Sequence, residues 1–552
     1  VTSVQPWSEV MPVKIRSILR CLCLSTIISC TALSVLAESS QADLQRVAMD
    51  IQTLASDKFA GRGPLTQGEK LTIDYLRDQY RDMGLRAGNQ DSYFQAVSMA
   101  KITPQQEMVL SIGKLKFNVA EDFTARTEKL LTQIKLEHSP VVFVGYGIHA
   151  PEYQWNDYQD IDVTGKTVIV LVNDPGFATQ NDDLFTGNAM TYYGRWTYKY
   201  EEAARQGAKA VFIVHETAPA AYPWSVVQSS NTGSKYTLVD EYNNNSTLPI
   251  MGWLQLAASK QIFAQAGLDY QTLKHQALAD DFKAVELTSG ANLTLVNTVS
   301  QAESHNVLAK IVGAKYPDEY VLIGAHWDHF GSKQTPQGKI IYNGAVDNAS
   351  GTAGTLEIAR LLQARHQDQP FERSIMFINF TAEETGLIGS QMFAEGEVIP
   401  TKEMVALLNI DGMNVQNGVD YILQYGNKLS EMEDYLARAA ARQNRRVKLD
   451  PRPQNGLFFR SDHFSLAKQG VPSLLFMSLG DTDPDYIANK YHKAADDYSA
   501  DWSLGGVKQD IELIVDMAAV LANSRDWPKW TAESDFKKSR ERDLADGSIP
   551  GM

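Results

Sequence analysis

Apolar runs alternate with amphipathic segments over the C-terminal half of the chain. Five of the runs have the length of buried strands, at residues 307–311, 320–325, 374–380, 405–410 and 472–477. Segments with helical apolar spacing lie near residues 349–364, 428–442 and 507–523. This alternation predicts an α/β fold, with an open mixed, mostly parallel sheet and helices on both faces.

The N-terminal half has a different pattern. Residues 40–86 have helical spacing, and residues 90–135 form short alternating stretches that predict strands. Residues 140–290 resemble a separate unit, with strand-like runs at 141–144, 167–172 and 210–214. We therefore expect an N-terminal leader over 1–37, an N-terminal part of the main domain over 38–135 and a β-rich inserted domain over 136–298. The main domain continues over 299–525, and a tail over 526–552 is expected to be a solvated extension.

The leader has the composition of a secretory signal. Lys14, Arg16 and Arg20 precede an apolar run at 21–37, which ends in small residues before Glu38. This order predicts export to the periplasm or the medium, with cleavage after Ala37. The alternatives are a membrane anchor, which the polar residues inside the run disfavour, and a lipid anchor at Cys30. We expect no stable membrane insertion after cleavage.

Charge and cysteine content exclude several kinds of function. The 552 residues carry a formal net charge of -15, which disfavours nucleic acid as a partner because phosphate binding requires a basic surface. All 3 cysteines lie in the leader, at positions 21, 23 and 30. A processed chain would contain neither a cysteine nucleophile nor thiolate metal ligands nor disulfides.

Four predicted strands end in residue types that bind metals. His326 and Asp328 follow the strand at 320–325, and the pair Glu383-Glu384 follows the strand at 374–380. The other residues of this set are Asp411, His492 after a loop of about fourteen residues, and Asp347 as the expected N-cap of the next helix. Ligands of open α/β sheets bind beyond the carboxyl ends of the strands, so these side chains are expected to converge in one crevice.

The composition of this set fits a pair of metal ions. Two histidines and three carboxylates can hold two divalent ions if one carboxylate bridges them, leaving a position for water. A further carboxylate that is not a ligand can take the proton from that water, and Glu383-Glu384 offers one residue for each role. Asp328 can accept the second imidazole N–H of His326. Each motif alone is common in solvated loops. A site is indicated because polar residues follow apolar strands four times in order.

Three segments resemble the co-catalytic zinc metallopeptidases, the family of bacterial aminopeptidases, glutamate carboxypeptidase and glutaminyl cyclase. They lie at 323–329, 343–351 and 381–387, and the similarity continues at 409–412 and at Tyr491-His492. Residues 54–62 are similar to the N-terminal segment of the same peptidases. Residues 140–290 look like the protease-associated domain often inserted in them, through Gly145-Tyr146-Gly147 and 165–168.

The resemblance implies two Zn²⁺ ions per chain, although manganese or cobalt can replace zinc in vitro. His326, Asp347 and Asp411 would bind one ion. Asp347, Glu384 and His492 would bind the other, so that Asp347 bridges. Glu383 would be the general base.

The resemblance also implies roles beside the metals. Asp328 would orient His326, and Asp462 or His463 would hold the substrate amine or oxyanion. A structural role for His463 is the alternative. Asp496 is expected either behind the ligands or as an exposed helix cap.

The implied activity is that of an exported zinc exopeptidase acting on peptides, foremost an aminopeptidase. A carboxypeptidase or a glutaminyl cyclase on the same scaffold is the first alternative. A catalytically dead binding protein is the second. The motifs specify neither the preferred terminal residue nor the oligomeric state.

Overall fold

The computed structural model describes residue 1 and residues 41–105, 107–240, 244–479 and 485–545. The expected export signal at 1–37 lies outside these ranges, apart from Val1. Within them, every helix is too short or too polar to cross a bilayer.

The described strands follow one another along the whole chain. In chain order they are β1 Arg86–Ala87, β2 Phe94–Pro104, β3 Val109–Ile112, β4 Leu115–Asn118, β5 Phe123–Arg126, β6 Gln133–Phe143, β7 His149–Ala150, β8 Trp155–Asn156, β9 Thr167–Leu171, β10 Ala210–His215, β11 Lys235–Leu238, β12 Ile250–Gln255, β13 Val285–Ile311, β14 Tyr316–His326, β15 Gly331–Thr335, β16 Gly338–Tyr342, β17 Arg373–Phe380, β18 Met404–Ile410, β19 Tyr421–Tyr425, β20 Arg446–Leu449 and β21 Ser473–Met477.

The α-helices separate groups of these strands. They are α1 Leu44–Leu54, α2 Gln67–Asp82, α3 Pro175–Thr179, α4 Trp196–Arg205, α5 Thr217–Ala220, α6 Trp224–Asn231, α7 Leu256–Gln265, α8 Tyr270–Gln276, α9 Gly351–Asp368, α10 Ile388–Ala394, α11 Met432–Arg442, α12 His463–Lys468, α13 Gly505–Asn523 and α14 Lys537–Ala545. The five strands and three helices expected in the C-terminal half are all present.

The first sheet has the order β11-β2-β13-β17-β14-β18-β21-β19-β20, and the short β1 also pairs with β13. Its central strands β17, β14, β18 and β21 are parallel, whereas β2 and β13 run antiparallel to their neighbours. β19 is antiparallel to β21 and parallel to β20. Alternate residues of one strand face opposite sides, so that Val321 packs in the cluster that contains α9 and α13 and Leu322 in the cluster that contains α12. The predicted mixed sheet with helices on both faces is confirmed.

The second sheet has the order β4-β3-β13-β6-β9-β10-β12-β5. Strands β6, β9, β10 and β12 are parallel, and the outer strands are antiparallel. This sheet has hydrophobic clusters of its own, built around Phe143, Phe212 and Phe263 on one face and Val170 and Trp253 on the other. The chain therefore folds around two sheets with separate cores.

The two sheets share one strand. β13 is 27 residues long, and its first half pairs with β6 while its second half pairs with β2 and then with β17. The division of the chain therefore differs from the expected one. β3, β4 and β5 belong to the second sheet although they precede the expected boundary at 135/136, and the boundary at 298/299 falls inside β13.

Up to residue 545, the C-terminal tail packs against the rest of the molecule and is not a solvated extension. Trp530 is 4% exposed and Phe536 is 2% exposed, and both pack with Phe458 and Phe464. The Trp530 indole N–H donates a hydrogen bond to the carbonyl of Gly470. The expectation was wrong because these aromatic residues stand isolated among charges, which hides an anchored segment from an analysis of periodicity.

A cavity of about 480 Å³ lies at the carboxyl ends of the parallel strands of the second sheet. Leu171 and Val214 line it from β9 and β10, and Asp174 lines it from the turn that follows β9. Glu216 also lines the cavity, where it forms an ion pair with Lys274 and accepts a hydrogen bond from the Tyr270 hydroxyl. Both sheets thus carry polar residues at the same end of their parallel strands.

Candidate active site

The predicted ligands converge where the central strands of the first sheet end. His326 is the last residue of β14, Glu383 and Glu384 follow β17 by three and four residues, and Asp411 directly follows β18. Because these strands are parallel and adjacent, their carboxyl ends meet at one edge and bring the four side chains together.

The first group forms around the imidazole of His326. Its Nε2 lies 3.4 Å from Oδ1 of Asp347 and 3.2 Å from Oδ1 of Asp411. His326 is 1% exposed, and the side chain of Asp411 is 24% exposed. One imidazole nitrogen and two carboxylate oxygens therefore face one another at the floor of the crevice.

The second group forms around the imidazole of His492, whose side chain is 41% exposed. Its Nε2 lies 3.2 Å from Oδ2 of Asp347 and 3.6 Å from Oε2 of Glu384. Asp347 thus directs one carboxylate oxygen to each group, the placement expected of a bridging ligand. The structure brings together all five residues of the predicted metal site.

Asp347 is not the N-cap of the following helix. It lies at φ -107 and ψ 96 in the turn Ala345–Ser350, and the cap position of α9 is Ser350. Asp496 holds this turn, since its carboxylate accepts the N–H groups of Val346 and Asp347, each at 3.0 Å. Asp496 is 1% exposed, so that of its two expected roles the one behind the ligands agrees with the structure.

Asp328 contacts its neighbours in an unexpected way. Nδ1 of His326 lies 3.2 Å from the backbone carbonyl of Asp328 and 3.8 Å from the carboxylate oxygen Oδ1. That carboxylate instead accepts the backbone N–H of Glu383 at 3.0 Å. Asp328 thus orients His326 through its main chain and fixes the start of the Glu383-Glu384 segment through its side chain.

Burial and crowding shift the charges of the site. Burial raises the pKa of Glu383 well above its ordinary value, and the carboxylates of Asp411, Asp462 and Asp328 add to the effect. Burial also opposes protonation of His326, but Glu383, Asp347 and Asp411 outweigh it and raise the pKa of the imidazole. A raised pKa allows the Glu383 carboxyl to take up and release a proton, as an acid–base residue must.

Arg62 was not among the candidate residues. Its side chain is 0% exposed and donates hydrogen bonds to the carbonyls of Leu54, Trp327, Asn343 and Gly344. These bonds connect the loops that carry Asp328 and Asp347. The available signal was its position at the end of 54–62, the segment that resembles the N-terminus of the peptidases.

His329 was also not among the candidate residues. It is 1% exposed, and its Nδ1 lies 2.6 Å from Oε1 of Glu384. Burial lowers the pKa of its imidazole to about 3. Its ligand atom also lies within 4.8 Å of those of Asp347 and Glu384. The signal that could have found it was the second histidine of His326-Trp327-Asp328-His329.

The two residues expected on the substrate side are deeply buried. Asp462 and His463 are both 0% exposed, and the His463 ring lies 4.6 Å from that of Phe458. Burial raises the pKa of Asp462 to about 7 and lowers that of His463 to about 3. Their contact with a substrate stays a prediction.

The donor set fits a divalent metal such as zinc. The ligand atoms of the two groups are imidazole nitrogens and carboxylate oxygens, which suit zinc and other first-row ions. The described ion pairs of the three ligand carboxylates, Asp347, Glu384 and Asp411, join them to histidines and to no lysine or arginine. Buried carboxylates are normally paired or bound to metals, so the crowded acids here require cations.

Comparison with curated proteins gives matches over part of the chain. The aminopeptidase NAALADL1 of Mus musculus is 38% identical over 126 residues, which are 22% of this chain and 15% of that protein. The probable glutamate carboxypeptidase LAMP1 of Arabidopsis thaliana is 36% identical over 122 residues, 22% of this chain and 16% of that protein. The matched segments thus span about a sixth of the length of these relatives.

Comparison with solved structures covers most of the chain at lower identity. An aminopeptidase from Aneurinibacillus sp. strain AM-1 is 21% identical with a TM-score of 0.48, over 88% of this chain and 95% of that one. BSAP, a zinc aminopeptidase from Bacillus subtilis, is 17% identical with a TM-score of 0.42, over 91% of this chain and 99% of that one.

Comparison with protein families gives a match over the whole candidate site. Residues 306–514, which include every predicted metal ligand and Glu383, match the model of Peptidase family M28. Over this segment, the chain is similar to Peptidase family M28.

Proposed function

We propose that this protein is an exported zinc-dependent exopeptidase with two metal ions, and that it removes residues from the free N-terminus of peptides. The observation that carries the proposal is the position of Asp347, with one carboxylate oxygen near His326 and the other near His492. The match of residues 306–514 to a peptidase family supports hydrolysis of peptides. The name of the mouse relative favours action at the N-terminus.

The chain's own residues supply the proton transfers. Metal ions held by the five ligands would activate a water and polarise the scissile carbonyl. Glu383 follows the ligand-bearing strand and takes the proton from the attacking water, then delivers it to the leaving amine. Asp328 fixes the backbone of Glu383, which keeps the carboxylate directed into the crevice. Peptide hydrolysis by this route forms no covalent bond to the enzyme.

The test uses the chain from Glu38 onward and a peptide mixture supplied with free and with acetylated N-termini. Mass spectrometry with and without a chelator shows which ends are shortened. Chelator-sensitive shortening of free N-termini alone is the expected result, and it also reveals the preferred terminal residue.

Other outcomes lead to other activities. Shortening from the C-terminus would replace the proposal by a carboxypeptidase, the activity in the name of the plant relative. Loss of ammonia from N-terminal glutamine without hydrolysis would indicate a cyclase. Intact peptides together with a protein free of zinc would favour a binding protein.

A further inference from the structure

Glu384 lies between two histidines, of which only one belongs to the predicted ligand set. Its Oε2 lies 3.6 Å from Nε2 of His492, and its Oε1 lies 2.6 Å from Nδ1 of His329. His492 is on an exposed loop, whereas the His329 side chain is fully buried. The more buried of the two imidazoles is thus also nearer to the carboxylate.

The contact between His329 and Glu384 does not have hydrogen-bond geometry. Among the described residues, the two ring nitrogens of His329 have no hydrogen-bond partner, and neither does Oε1 of Glu384. A buried polar group left without a partner destabilises the fold, and most such groups are satisfied. An imidazole nitrogen and a carboxylate oxygen that face one space without sharing a proton are placed as two ligands of one cation are.

We propose that His329 is a fourth protein ligand of the second metal position, together with Asp347, Glu384 and His492. The inference rests on the metal centre of the proposed function. The ligand atoms of His329, Asp347 and Glu384 lie within 4.8 Å of one another, which allows one ion to contact all three. The second position then has two imidazoles and two carboxylates, while the first has His326, Asp347 and Asp411.

The two positions therefore differ in affinity. Four protein ligands are the number of closed, tightly binding zinc sites, whereas three leave an open position. The second ion is expected to bind more tightly and to exchange more slowly.

The first test compares His329→Ala and His329→Gln in the full chain. A glutamine can still donate a hydrogen bond to Glu384 but replaces imidazole poorly as a zinc ligand. Metal content is measured by mass spectrometry after dialysis against zinc buffers, and the cobalt-loaded protein is examined by visible absorption. His275→Ala, an exposed histidine of α8, is the matched control.

Both variants are expected to weaken the tighter site at least tenfold and to change its cobalt spectrum, while the control binds as the native protein does. Native affinity and spectrum in His329→Gln would overturn the proposal and leave His329 as a positioning residue for Glu384. A native protein that binds no zinc would overturn the proposed function itself.

A second measurement needs no variant. X-ray absorption at the zinc edge counts the imidazoles bound per metal in the native protein. Three histidines shared by two ions give about 1.5 imidazoles per zinc, whereas two histidines give about one. The higher value is expected. A value near one would overturn the assignment of His329 even if the variants failed to fold.

Discussion

The first and second sheets each form a crevice at the carboxyl ends of parallel strands, but the charges in the two crevices are arranged differently. Near the first sheet, Asp347 and Asp411 crowd around His326. Near the second sheet, Glu216 has Lys274 as its partner. Strand polarity thus predicts where polar side chains gather in both sheets. In the first crevice, the described ion pairs of the carboxylates include no lysine or arginine, so these carboxylates require a metal. In the second crevice, Lys274 balances the charge of Glu216.

The largest expected effect concerns the proton carrier of the first crevice. Glu383→Gln should reduce kcat by about 10²–10⁴-fold, because an amide cannot take the proton from water. Zinc content should not change, since Glu383 is not among the proposed ligands. Peptide hydrolysis and metal analysis on the same sample test this. The exposed Glu137→Gln is the control, and activity within a few-fold of native in Glu383→Gln would rule out this base.

The second prediction uses heat stability to distinguish the crevices. An ion that binds only the folded state stabilises it by about 2.7 kcal/mol at a hundred times the Kd, so zinc should raise the Tm of the native protein. Asp347→Asn should abolish most of that rise because the side chain faces both metal positions. Glu216→Gln in the second crevice should keep it. An equal loss in both variants would contradict the comparison.

The third prediction breaks the balanced pair of the second crevice. Lys274→Met leaves the partly buried Glu216 without its cation and should cost about 1–3 kcal/mol of unfolding free energy, measured by urea denaturation. Peptide hydrolysis should stay at the native rate. The double variant with Glu216→Gln should recover part of the loss, since both charges are then removed. Strict additivity would show that the pair does not interact.

The fourth prediction concerns a pH dependence at Asp174. Burial raises its pKa to about 6, although Thr191 donates two hydrogen bonds to it and Lys199 lies near. The folded state therefore holds this proton more tightly than the unfolded state does. The associated stability is present in full below about pH 4 and is lost as the pH rises to about 6.

Asp174→Asn should flatten this part of the stability profile, since an amide does not titrate. Urea midpoints of the metal-free protein at pH 4, 5, 6 and 7 measure the difference from the native chain. Parallel profiles of the two proteins would show that Asp174 is already ionised at pH 4.

Strand ends were the part of the site that could be predicted from the sequence. His326 and Asp411 follow apolar runs directly, so their place at the sheet edge depends on local pattern and strand direction alone. The contacts of Asp328 could not be predicted in this way, because the backbone conformation decides whether its carbonyl or its carboxylate meets His326. His329 could not be predicted for a similar reason, since the conformation of a loop places it beside Glu384.

The division into two sheets was harder to predict than either sheet. The break between units was expected near residue 298, where the apolar pattern changes. The structure instead continues one strand through that point. A change of partner strands alters which faces are buried without interrupting the backbone, and it therefore looks like a domain boundary in the sequence.

The shared strand limits how the molecule can be divided. β13 runs through both sheets without a break over 27 residues, although its pairing with β6 has register irregularities between Glu286 and Gly290 and between Ala291 and Leu293. Removing the second sheet would leave part of β13 with an unpaired edge, and such edges pair with other chains. Fragments cut near residue 298 would divide this strand and are therefore expected to aggregate.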